Sequence, residues 1–117
     1  MKIRIKNNGL RYRLTRSEVD AFARDGLFKE TLQIGDDVLT YILQRTAEEV
    51  LSASFKNNII TMLVPEKMAD EWTGTDKVGL EHKTNDLHLL VEKDFTCLDN
   101  VNEDQSDNYP NPLAAKS

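Results

Sequence analysis

The chain has 117 residues, 30% of them charged and 39% apolar, which is the make-up of one soluble globular domain with a modest core. Fifteen Lys and Arg against twenty Asp and Glu give a net charge of -5, arguing against a general nucleic-acid coat while leaving room for a local basic patch. The single cysteine, Cys97, excludes an internal disulfide framework and a Cys-rich zinc module. The opening MKIRIKNNGL lacks an apolar leader core, and no run approaches the roughly 18 apolar residues of a membrane span, so the expected compartment is the cytoplasm.

The first segment alternates at period two, with Ile3 and Ile5 against Lys2, Arg4 and Lys6. Asn8-Gly9 reads as a type I′ turn, since both central residues must tolerate positive φ. That turn pairs Ile5 with Tyr12 and Ile3 with Leu14 on one face, and Lys6 with Arg11 and Arg4 with Arg13 on the other. Thr15-Arg16-Ser17-Glu18 is a capping box, followed by the Val19, Phe22, Ala23 stripe of a short helix that stops at Gly26. Strands over 27–34 and 38–44 flank the turn cluster Gly35-Asp36-Asp37.

A second hairpin turning at Asn57-Asn58 aligns Leu51, Ala53 and Phe55 with Val64, Met62 and Ile60. Pro65 suits the first turn of a helix, Met68, Ala69 and Trp72 form its buried side, and Gly74 closes it. The last hairpin turns within 83–86 and pairs Val78 with Val91, Leu80 with Leu89 and His82 with Leu87, which leaves His88 across from Glu81. From Asp99 to Ser117 there are four acids, one Lys, two Pro-containing steps and few apolar groups. That segment reads as an acidic flexible tail appended to a single globular domain, 1–98.

Shifting the chain by 50 lays Phe55 to Val64 over Ile5 to Leu14 and Trp72 over Phe22. Each half then reads strand, strand, short helix, strand, strand. Duplication of one unit and two unrelated units of the same grammar both produce such a match. The expected fold class is α+β, mainly antiparallel strands in two similar units with two short helices. A small closed barrel and an open sheet that dimerises along an edge are the two ways to arrange those strands.

The segments KIRIK, LRYRLTRSEVD and Phe55 to Trp72, together with LVEKDFTCLD and the ending EDQSDNYPNP, resemble a family of small uncharacterised bacterial proteins known as a domain of unknown function. The likeness spans nearly the whole chain. It implies a bacterial origin and a stand-alone domain, and it brings no catalytic or binding residues with it.

The first sixteen residues hold six cations (Lys2, Arg4, Lys6, Arg11, Arg13 and Arg16) and no acid. Like charges opposite one another across a sheet are destabilising, by several tenths of a kcal/mol per pair on the order given by cross-strand pair energies. Acids from elsewhere in the chain, solvent, or an anionic ligand must answer them. The expected function is therefore a small cytoplasmic, non-catalytic binding or adaptor protein that recognises an anionic ligand or acidic partner through Arg4, Lys6, Arg11 and Arg13. The acidic tail could also latch onto that hairpin, within one molecule or between two, and a homodimer is a further partner to consider. The alternative is a small-molecule enzyme, metal-assisted in one version, using His88, Cys97 and nearby acids. Against it stand the absence of HxH, CxxC and HExxH spacings and a His82 that points away from His88. The expectation is thus no catalytic residues, no metal and no cofactor, with neither membrane nor nucleic acid as a partner.

Overall fold

The computed structural model describes residues 1–95, Asp107 and Tyr109. Four asparagines in the left-handed region make two of its two-residue turns: Asn7 (φ 49°) with Asn8 (φ 60°), and Asn57 (φ 53°) with Asn58 (φ 63°). The first joins β1 (Lys2–Lys6) to β2 (Gly9–Leu14), opposing Ile3 to Tyr12, Ile5 to Leu10 and Arg4 to Arg11. The turn lies one residue earlier than Asn8-Gly9, so each expected pairing moves by two positions. Because the side-chain period of a strand is also two, both faces keep the expected residues.

The capping box forms at α1 (Arg16–Asp25), where the Thr15 N–H donates to Glu18 Oε1 at 2.8 Å. Gly26, at φ 73°, ends the helix and donates its N–H to the Phe22 carbonyl at 2.7 Å. β3 (Leu27–Ile34) and β4 (Asp37–Thr46) follow, then β5 (Ser52–Lys56) and β6 (Ile59–Pro65), whose register opposes Ala53 to Met62 and Phe55 to Ile60 as the pattern requires. In α2 (Glu66–Gly74), Ala69 and Trp72 are buried but Met68 is exposed. Met68 lies at the margin of the stripe and lines a hollow with Glu48, Glu49 and Pro65. β7 (Gly79–Lys83) and β8 (His88–Lys93) oppose Leu80 to Val91 and His82 to Leu89. This register is again two positions from the expected one, because Thr84 closes the loop by bonding both polar groups of the Leu87 backbone.

The eight strands do not close into one barrel. They form two four-stranded sheets, β1-β2-β8-β7 and β3-β4-β6-β5. Four strand pairs are antiparallel hairpins, while the central pairs β2–β8 and β4–β6 are parallel. Each sheet thus joins the first hairpin of one strand-strand-helix-strand-strand unit to the second hairpin of the other. Neither unit can complete a sheet alone, and the helices carry the chain across.

The inner faces meet over Tyr12, Leu14, Leu43, Met62, Val64 and Val91, with Phe22 and Trp72 contributed by the helices. Phe22 and Trp72 are in edge contact at 6.2 Å, and Trp72 Nε1–H donates to the Val78 carbonyl at 3.0 Å. The Tyr12 hydroxyl crosses between sheets to the Ile60 carbonyl at 3.2 Å, and burial pushes its pKa up. The Met1 ammonium is enclosed beside the carboxylates of Glu18 and Glu30, and the Met1 carbonyl accepts from the Tyr41 hydroxyl at 3.0 Å.

Candidate anion-binding face

Alternation along β1 and β2 sends Lys2, Arg4 and Lys6, then Gly9, Arg11 and Arg13, to the outer face of their sheet. The parallel register of β2 with β8 continues that face through His88, Leu90 and Glu92, set beside Gly9, Arg11 and Arg13. β7 completes it with Gly79, Glu81 and Lys83. The face therefore carries six Lys or Arg and one His against two carboxylates, in a chain whose net charge is -5.

Some of those cations are answered from within the chain. Glu92 Oε1 lies 2.9 Å from Arg11 Nε and 3.9 Å from Arg13 Nε, one carboxylate shared between two guanidiniums. The closer contact is buried and lacks hydrogen-bond alignment. Lys2 Nζ is 3.1 Å from Asp94 Oδ2. His88 Nε2 meets Glu81 Oε2 at 2.5 Å, diagonally across the sheet, since the residue directly opposite Glu81 is Leu90. Among the described residues, Arg4, Lys6 and Lys83 have no carboxylate within ion-pair distance. Arg4 stands directly across from Arg11.

These three cations, Arg4, Lys6 and Lys83, border one depression. It encloses about 470 Å³, within the size range of small-ligand sites, and is lined by Arg4, Lys6, Asn7, Gly9, Leu10, Arg11, Lys83, His88 and Leu90. Gly9 lies between Lys6 and His88 in the sheet and leaves the row of outward side chains interrupted. A Cβ there would stand 2.9 Å from the Lys6 carbonyl oxygen, so glycine is required by the close approach of the backbone. At the corresponding place in the other sheet is Ile59, between Lys56 and Thr40. Ser52, Ser54, Thr61 and Leu63 flank it, and that face carries two cations, Lys29 and Lys56, in place of six.

Three of the four residues expected to bind, Arg4, Lys6 and Arg11, line the depression together. Arg13 lines a smaller neighbouring hollow of about 280 Å³ with Lys2, Ile3, Arg4 and Arg11. Arg16 leaves the face: its guanidinium lies over the Tyr109 ring at 5.5 Å. The hairpin signals did not point to Lys83 and His88, because only the parallel β2–β8 junction brings them beside the cationic strands.

The residues named for small-molecule or metal-assisted chemistry are brought together only in part. His88 meets Glu81, His82 lies on the core-bearing face, and Cys97 is outside the described residues. Among the described residues, no three His, Cys, Asp or Glu side chains converge to hold a metal ion, and no helix is long and apolar enough to cross a membrane. Most of the segment 99–117 is also outside the described residues. Its described members pack at the start of α1 and against the stretch from Lys93 to Phe95. Asp107 accepts from the Arg16 N–H at 2.9 Å through its carbonyl, and from the Ser17 N–H at 3.1 Å and hydroxyl at 2.5 Å through its carboxylate. The Ser17 hydroxyl holds the Asp107 carboxyl below its ordinary pKa. Tyr109 donates its N–H to the Asp94 carbonyl at 2.8 Å and sets its ring against Phe95, Arg16 and Lys93.

The chain belongs to a family of unknown function, DUF7009, whose profile matches residues 1–113. Neither a curated protein nor a solved structure matches it.

Proposed function

For this member of a family without an assigned activity, we propose the role of a small, cytoplasmic, non-catalytic binding or adaptor protein. It captures an anionic ligand or the acidic segment of a partner on the outer face of the β1-β2-β8-β7 sheet. Arg4 and Lys6 supply charge that no carboxylate among the described residues answers, Lys83 adds to it from the opposite side, and Arg11 presents a guanidinium fork already steadied by Glu92. The observation that carries the reading is the gathering of three cations, none with a carboxylate within ion-pair distance among the described residues, around a depression that Gly9 helps to line. Charge focused in a concave site attracts counter-charge more strongly than the same charge spread over a convex surface. The exchanged hairpins and the match at a shift of 50 also support reading the two units as copies, only one of which carries the basic face.

The test compares wild type with the Arg4→Glu/Lys6→Glu double variant for binding of a short oligoglutamate peptide and, separately, of inorganic pyrophosphate. Both variant positions are solvent-exposed, so the fold is expected to survive. Loss of binding by tenfold or more for either probe supports the reading, with the stronger probe identifying the ligand type. Equal binding by both proteins overturns it.

A further inference from the structure

Three of the four sheet edges are short, since β1, β5 and β7 have five residues each. The fourth edge, β3, has eight residues and no proline, and no described strand pairs with its outer side. Leu27, Leu32 and Ile34 along it are 40%, 50% and 62% exposed. Sheet edges are normally kept short or guarded by charge, because a long bare edge is a template for another strand. β1 is guarded by Lys2, Arg4 and Lys6, whereas the final four residues of β3 are uncharged.

We propose that β3 is a dimerisation edge, on which two copies of this chain pair antiparallel with Thr31 on the two-fold axis. A two-fold axis normal to a continuous sheet keeps every side chain on its own face, so the residue at the axis must oppose its own copy. With Lys29 or Glu30 on the axis, like charges would stand directly opposite, which is unfavourable. With Leu32 there, only 30–34 would overlap and Glu30 would face Ile34. Thr31 on the axis brings 28–34 into register and sets Phe28 of one copy against Ile34 of the other, Glu30 against Leu32, and Lys29 against Gln33. This arrangement opposes no like charges, covers the two most exposed apolar groups of β3, and satisfies backbone groups on both edges. The occupant is therefore a second copy, because the edge is complementary to itself in one register. The pairing lies on the sheet remote from the basic face and does not depend on anion binding.

Sedimentation velocity over a concentration series tests this, with Leu32→Lys and Ile34→Lys as edge variants and circular dichroism to verify their fold. In a Cys97→Ser background, Thr31→Cys and the β5 control Ser54→Cys are oxidised under identical mild conditions. The expected results are a concentration-dependent wild-type dimer, monomeric lysine variants, and a disulfide-linked dimer from Thr31→Cys but not from Ser54→Cys. A wild type that stays monomeric, a dimer unaffected by either lysine, or equal cross-linking at both cysteines overturns the proposal.

Discussion

Gly9 and Lys6 approach so closely across the first hairpin that a Cβ on Gly9 would lie 2.9 Å from the Lys6 carbonyl oxygen. Gly9 also lines the cationic depression, so the residue that meets this packing demand borders the proposed site. Gly9→Ala is expected to lower stability by about 1–3 kcal/mol, the usual cost of forcing extra volume into a close contact. A fall in the urea midpoint together with weaker pyrophosphate binding checks both parts. An unchanged midpoint would show that the backbone has room there.

The Met1 ammonium contacts two carboxylates that differ in burial. The Glu18 side chain is 18% exposed and also accepts the Thr15 N–H, whereas that of Glu30 is 36% exposed. Glu18→Gln should therefore cost about 1–3 kcal/mol, as for removal of a charged partner from a hydrogen-bonded cluster. Glu30→Gln should cost less than about 1 kcal/mol, in the range of exposed ion pairs. Chemical denaturation of the two variants gives the order directly.

Phe22 and Trp72 join the two helices at the centre of the core, and both are fully buried. Phe22→Ala should destabilise the protein by about 3–5 kcal/mol through lost burial and the cavity left behind. The near-UV circular dichroism of Trp72, the single tryptophan, should weaken in parallel. Calorimetry and that spectrum provide the measurements.

Hydrogen bonds to Ser17 depress the Asp107 pKa in the folded protein. A depressed carboxyl contributes stability above its unfolded pKa and loses it as pH falls through the folded value. Docking of Asp107 on α1 should accordingly persist at neutral pH and loosen only below the ordinary carboxyl range of about 4. The amide resonance of Ser17 should report that transition, and Asp107→Asn should remove it.

Turns whose sequence offers one answer were legible, and those offering two were not. Asn57-Asn58 has no neighbouring glycine to compete with it, and its register agrees with the pattern. Asn8-Gly9 carries the stronger local turn signal, yet Asn7-Asn8 makes the turn and frees Gly9 for the close contact. The match at a shift of 50 held the correction, since it superposes Asn7-Asn8 on Asn57-Asn58. The parallel junctions β2–β8 and β4–β6 left no trace in local periodicity, because alternation records which face a side chain takes and not which strand lies beside it. For that reason Arg4, Lys6 and Arg11 could be placed together from the hairpin alone, while Lys83 and His88 could not. The sharing of Glu92 between Arg11 and Arg13 was hidden for the same reason.

The most direct test of the basic face is a titration of isotopically labelled protein with inorganic pyrophosphate at low ionic strength, followed by amide chemical shifts. The predicted result is a saturable shift confined to the surroundings of Asn7, Gly9, Lys83 and His88, reversed by salt and absent in Arg4→Glu/Lys6→Glu. Shifts that never saturate, that spread evenly over both sheets, or that survive the double charge reversal would contradict an anion site at this face.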